Sequence, residues 1–337
     1  MGSKLTFGSL FAGIGGVCKG FANAGFEPLW ANEWDKRACE TYRHNFRHKL
    51  VEGDIHDISD PLKQLGKVDV ITSGFPCQAF SVAGYRLGFK DPRGNLFFET
   101  ARIIDAIKPK AFLLENVKNL VGHDNGRTFK IIEEVLTKDL NYSFIPFVLN
   151  AKDFGVPQTR ERIYVVGFKG ESEVPFFDED NLFNIADQNA DFCTSKFKIP
   201  CKIPLRKKIE DVLSTGEQEK RFYYGKDSQY FPKLDAEIKK TDTVYQWRRV
   251  YVRENKSKLC PTLTANMGTG GHNVPLIRDS YGIRKLTPQE CVRFQGFDKS
   301  FKFPKGMANS HCYKQSGNSV VVPVIKNIAK NILMAIS

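Results

Sequence analysis

Short apolar runs alternate with stretches of helical periodicity along the first half of the chain, and this pattern limits the fold more than any other feature. Residues 5–10 read as a strand, and the glycine-rich turn Ala12-Gly13-Ile14-Gly15-Gly16 follows. A second strand near 28–31 runs into Asn32-Glu33-Trp34-Asp35. Segments 68–73 and 111–114 read as buried strands, with helical spacing over 96–107 between them. Such alternation predicts a doubly wound α/β fold: a Rossmann-like parallel sheet with helices on both faces. Residues 142–150 and 162–168 predict two further strands.

The pattern stops after residue 168. Residues 171–191 hold seven acidic side chains and no basic one, whereas 196–208 hold six basic and no acidic. We therefore expect a first domain over 1–168 and a second, smaller one over 169–281. Residues 282–337 then return to the first domain, with Val321, Val324, Ile325, Ile328, Ile332 and Ile336 spaced as an amphipathic helix. No apolar run approaches the roughly 20 residues of a membrane span. The first six residues match a myristoylation pattern formally, but they run straight into an apolar strand. A net charge of +12 favours a polyanionic partner. The eight cysteines form no CxxC pair, which points away from a zinc site and toward a reducing, cytoplasmic compartment.

Several residues sit where an α/β sheet places its ligands, beyond the carboxyl ends of the strands. Gly13 and Gly16 lie in a strand-to-helix turn, and Glu33 follows Gly13 by 20 residues at the next strand end, placed to meet ribose hydroxyls. The spacing is not a strict G-x-G-x-x-G, which disfavours a pyrophosphate and favours S-adenosylmethionine (SAM). Asp54 follows the third strand and can accept from an adenine amino group, although on its own a turn aspartate is the stronger reading there. Cys77 follows Pro76 and precedes a polar, glycine-rich stretch of lid length. Glu115 ends a strand, and Arg160 and Arg162 stand at i and i+2 before another. A thiolate, a carboxylate of raised pKa and two arginines suit methyl transfer to C5 of cytosine. Cys77 would attack C6, Glu115 would serve N3, and Arg160 would steady O2. A base inside a duplex must first be flipped out.

These segments, read in order, resemble the motifs of the DNA cytosine-5 methyltransferase family: Phe11-Ala12-Gly13-Ile14-Gly15-Gly16, Pro76-Cys77-Gln78, Glu115-Asn116-Val117, Gln158-x-Arg160-x-Arg162, Arg284-Lys285-Leu286-Thr287-Pro288 with Glu290, Arg293, Gln295 and Gly296, and Gly317-Asn318-Ser319-Val320. Compact length and one variable region resemble the bacterial restriction–modification branch. The resemblance implies Cys77 as nucleophile, Glu115 as the N3 partner, and Arg160 and Arg162 as active-site anchors. It implies a SAM pocket lined by Phe11, Gly13, Ile14, Gly16, Glu33, Trp34, Asp54, Ile55, Pro76, Leu96, Asn318, Ser319 and Val320, with Phe11 and Trp34 flanking the adenine. One departure stands out: many members carry an acid where this chain has Ser9.

Between 169 and 281 the family reads DNA. From Val244 to Arg278 there are six Lys/Arg against one acid. Arg248, Arg249 and Arg253, with Thr264, Gly270 and Gly271 of a glycine-rich loop, are the expected DNA contacts. The implied partner is double-stranded DNA met by a monomer, with a cognate nuclease encoded nearby and not stably bound. Three other readings compete. A tRNA-methylating branch of the family lacks so large a basic segment. A binding protein that had lost catalysis would not retain Cys77, Glu115 and both arginines. An oxidoreductase would carry NAD or FAD.

Overall fold

The computed structural model describes residues 4–76, 96–170, 197–248, 251–269 and 273–337. Its main sheet has seven strands: β1 (Thr6–Leu10), β2 (Glu27–Glu33), β3 (Lys49–Glu52), β4 (Val70–Ser73), β5 (Ala111–Val117), β6 (Ile145–Asn150) and β7 (Glu161–Phe168). Their order is β3-β2-β1-β4-β5-β7-β6. The first five are parallel neighbours. In β4 all four residues are buried, as expected of a strand covered on both faces. Chain order reverses between β1 and β4, and it is at such a switch that an open α/β sheet leaves a crevice.

The sheet departs from parallel pairing at β7, which runs antiparallel to both β5 and β6. The physical reason lies in the connection. Residues 151–160 join β6 to β7 with only one short 3-10 turn, Ala151–Asp153. A parallel crossover needs a dozen or more residues and usually a helix. Apolar content alone does not encode strand direction.

The helices that bear on the site and its support are α1 (Gly16–Ala24), α2 (Lys36–Asn45), α3 (Leu96–Ile107), α4 (Arg127–Glu134), α5 (Pro288–Phe294), α6 (Asn309–Asn318) and α7 (Val322–Ile336). Asp35 caps α2 by accepting from the amides of Arg37 and Ala38. As expected from its periodicity, α7 buries Val322, Val324, Ile325, Ile328, Ala329 and Ile332. Its core-facing residues join the same apolar cluster as β1 and α1. The contact is close because α1 presents Gly20: a Cβ there would lie 2.5 Å from Ile325 Cγ2. By length and composition the stretch Asn309–Ile336 is apolar enough to cross a membrane, although polar and charged side chains interrupt it and leave no long apolar run. Here it is divided between α6 and α7, and half of its apolar window is buried in the protein.

A second sheet has the order β11-β10-β8-β9, built from β8 (Tyr245–Arg248), β9 (Tyr251–Glu254), β10 (Leu276–Asp279) and β11 (Gly282–Lys285). All its pairings are antiparallel. Because β11 is an edge strand of this sheet, the sheet runs past the boundary expected at 281. Leu286, Cys291 and Phe294 continue into the apolar cluster under it. Phe197, placed in the second domain by charge patterning, is buried in the core of the large sheet instead.

Candidate active site

Beyond the carboxyl ends of β1, β2, β4 and β5 lies a cleft of about 380 Å³. Phe11, Gly13, Ile14, Glu33, Trp34, Pro76, Leu96 and Asn318 line it, together with Glu115, Arg160 and Arg162. Five residues expected in the cofactor pocket do not line it: Gly16, Asp54, Ile55, Ser319 and Val320. Each has a structural duty. A Cβ on Gly16 would fall 2.7 Å from Ser319 Oγ and 2.9 Å from Val320 Cγ2, so these three pack the segment before α7 onto the start of α1. Asp54 accepts from the amide of His56 at 3.0 Å and pairs with its ring Nδ1 at 2.6 Å, capping a short turn. Ile55 is a core residue. Cys77, Arg249, Gly270 and Gly271 lie outside the described residues.

The turn after β1 shows why glycine is needed there. Gly13 has φ +56°, and a Cβ on it would meet nothing within 4 Å. Its amide donates to Glu33 Oε2 at 2.7 Å, while Trp34 and Asp35 donate their amides to Oε1 at 3.0 and 2.9 Å. Glu33 therefore clamps the turn to the end of β2. Burial pushes its pKa up, against the pull of the three amides. The Trp34 side chain stands at the rim, 68% exposed, and its aromatic face is available to a planar ring.

The cleft floor carries a carboxylate–guanidinium pair, with Arg162 Nε 3.2 Å from Glu115 Oε1 and both side chains largely buried. Strand pairing produces it: Glu115 and Arg162 sit on adjacent antiparallel strands, β5 and β7, two rungs apart. Burial raises the pKa of Glu115, with the charges of Arg162 and then Arg160 acting against it. Next to Glu115, Asn116 donates to the Phe75 carbonyl at 2.8 Å and so holds the end of β4 where Pro76 enters the cleft.

Arg160 does something the sequence reading missed. Its guanidinium donates to the carbonyls of Leu263 (2.7 Å), Gly317 (3.1 Å) and Ser319 (2.7 Å), and it is 4% exposed. It braces the segment around Leu263 and the end of α6 against β7, and the guanidinium paired with Glu115 is that of Arg162. Gln158 supports the same joint, donating to the Phe294 carbonyl at 2.6 Å and accepting from the Leu263 amide at 3.2 Å.

Among the lining residues not expected at the site are Asp35, Ala38, Lys314 and Gln315. Lys314 Nζ lies 2.9 Å from Asp35 Oδ2, tying α6 to the cap of α2. Thr41 donates to Gln315 Oε1 at 2.7 Å beside it. The signal was proximity in sequence, since Asp35 follows Trp34 and the Lys-Gln step precedes Gly317-Asn318. In the smaller sheet, Arg248 and Arg253 are exposed. The pairing Gln246↔Arg253 and Arg248↔Tyr251 puts them on one face. Thr264 is exposed at the start of the turn Ala265–Gly268, which packs on α6.

A seven-stranded sheet with a cleft at its switch point, an acid-clamped glycine turn and a buried Glu–Arg pair defines a doubly wound enzyme that binds its ligands at the strand ends. The chain belongs to the C-5 cytosine-specific DNA methylase family, whose description matches residues 5–334. It is 51% identical over 333 residues to the Type II methyltransferase M.Bsp6I of Bacillus sp. (strain RFL6), covering 97% of this chain and 98% of that protein. It is 36% identical to the Type II methyltransferase M.HhaI of Haemophilus parahaemolyticus, covering 97% and 94%. Among solved structures, a Spodoptera frugiperda DNMT2 mutant shares the fold with a TM-score of 0.68 at 20% identity, over 96% of this chain and 98% of that one.

Proposed function

We propose that this protein transfers the methyl group of SAM to C5 of a cytosine within a short, specific double-stranded DNA sequence, by base flipping and a covalent Cys77–C6 adduct. We further propose that it protects host DNA in a restriction–modification system. The observation that carries the mechanism is the buried Glu115–Arg162 pair on the floor of a cleft whose wall ends at Pro76, the residue before Cys77.

The cleft suits SAM on its own chemistry. The turn at Gly13 leaves open space, the Trp34 ring offers an adenine-sized face, and Glu33 keeps one free acceptor position after its three amide bonds. Phe11, Ile14, Leu96 and Asn318 would complete the wall. When bound, SAM supplies an electrophilic methyl on its sulfonium.

The chain's own groups then do the following. The Cys77 thiolate adds to C6, and the ring electrons move so that C5 becomes enamine-like. Glu115, its pKa raised by burial, holds a proton to give to N3 as negative charge develops there. Arg162 keeps Glu115 in place and offers its remaining N–H groups to the base O2. After C5 has gained the methyl, its proton passes to solvent and the C5–H electron pair re-forms the C5=C6 double bond, which drives elimination. The C6–S bond breaks and the thiolate leaves. Arg248, Arg249, Arg253, Thr264, Gly270 and Gly271 are proposed to meet the DNA.

The test is methyl transfer from labelled SAM to unmethylated duplex DNA and, in parallel, to tRNA, with methylated positions read by bisulfite sequencing. One repeated cytosine context in duplex DNA is expected. Cys77→Ser should lose turnover and keep SAM binding. Near-normal turnover in that variant would overturn the mechanism, and methylation confined to tRNA would overturn the substrate.

A further inference from the structure

A second cleft, of about 260 Å³, lies beside the first along α6. Its walls include Arg221, Gly268, Lys285, Asn309, Ser310 and Tyr313, and among the described residues no acidic side chain lines it. Lys285 is unusual among them. It is half-buried at the end of β11, and burial pushes its ammonium pKa down. Among the described residues its Nζ has no ion pair or hydrogen bond, only the Tyr224 ring at 5.6 Å to the centroid. A desolvated cation without a counter-charge is costly unless something anionic visits it. Arg221 brings a second cation to the same space, and it pairs with the exposed Glu219 at 3.0 Å. Asn309 and Ser310 add neutral hydrogen-bond donors.

We propose that this cleft binds a phosphate group, held between Lys285 and Arg221, and that the group is a backbone phosphodiester of the DNA flanking the target base. Its position argues for DNA. Met267 and Gly268, which line the cleft, belong to the turn Ala265–Gly268, and Thr264 begins that turn. A phosphate seated here would anchor the strand one turn of α6 away from the Lys314 and Gly317 rim of the first cleft. Such a contact sets register and affinity without reading sequence. The DNA source rests on the function proposed above; the phosphate chemistry does not.

The experiment measures DNA affinity over a range of salt for the wild type, Lys285→Met and Arg221→Gln. It uses a duplex containing the methylated sequence and a scrambled duplex. Each variant is expected to flatten the slope of log affinity against log salt by about 0.9, the value for one lost phosphate contact. Each should weaken both duplexes by the same factor and leave SAM affinity unchanged. Arg221→Gln, at an exposed side chain, keeps the test valid if Lys285→Met folds poorly. Pyrophosphate is titrated in parallel, with melting temperature as the readout. Unchanged slopes, together with a pyrophosphate-dependent rise in the wild type that both variants lose, would assign the cleft to a free phosphorylated ligand in place of DNA. Unchanged slopes with no pyrophosphate response would overturn the proposal. Methyl transfer by the wild type, measured alongside, separates a failure here from a failure of the proposed activity.

Discussion

Arg160 and Arg162 stand two positions apart, and the difference in their work is physical. Arg162 faces a carboxylate in the cleft, whereas Arg160 meets three carbonyl oxygens from segments more than 100 residues away in sequence. Replacing Arg160 by Met would leave those carbonyls without their donor inside the protein. We expect the Arg160→Met chain to lose about 3 kcal/mol, measured by urea unfolding. A loss of turnover with unchanged stability would instead return Arg160 to the reacting base. The motif identified both arginines, but their division of labour was hidden because the partners of Arg160 are backbone atoms brought together only by the fold. Glu33 was similarly half legible. Its place at a strand end was expected, while its grip on the amides of Gly13, Trp34 and Asp35 depends on where the turn folds back.

At the scale of elements, the joint between β11 and α5 rests on a buried ion pair. Arg284 donates two hydrogen bonds to Glu290, at 2.8 and 2.9 Å, and the two side chains are 1% and 0% exposed. Glu290 also closes a capping box with Thr287 at the start of α5 and accepts from the Ser214 amide. Burial alone would raise its pKa, but the Arg284 bonds and charge and the two amides prevail and lower it. The sign for stability follows from that depression. The pair's contribution is full above the ordinary carboxyl value of 4.5 and is lost as pH falls through the lower folded value. Glu290→Gln should therefore cost about 3–5 kcal/mol at pH 7. Its urea midpoint should converge on that of the wild type in acid; a gap independent of pH would show that the charge is not what matters. The sequence marked Arg284 and Glu290 as a motif but set a boundary two residues before the arginine. β11 extends the small sheet, and no change of composition announces where a strand changes sheets.

At the scale of the whole molecule, most of the large sheet was legible because buried strands must be apolar and helices between them periodic. Strand direction at β7 was not, because it follows from the length of a connection. The return of α7 to α1 was legible from its spacing, and the closeness of that contact rests on one residue. In Gly20→Ala the new methyl would press on Ile325 and, at 3.2 Å, on the Lys326 amide nitrogen. We expect a loss of about 1–3 kcal/mol in calorimetry or urea unfolding. Weaker SAM binding should accompany it, since Gly16, Ser319 and Val320 belong to the same joint. A neutral outcome would mean that α7 shifts freely on α1.

That joint also sets an order in time. Gly20 and Ile325 are about 300 residues apart along the chain, and contacts of such separation form late because loop closure must come first. A ribosome making this protein exposes β1, α1 and the glycine turn long before the helix that covers them exists. Until then the apolar face of α1 stands open, and the Ser319 and Val320 that pack against Gly16 have not been made. A partly synthesised chain therefore carries the signature of a methyltransferase without the means to act as one.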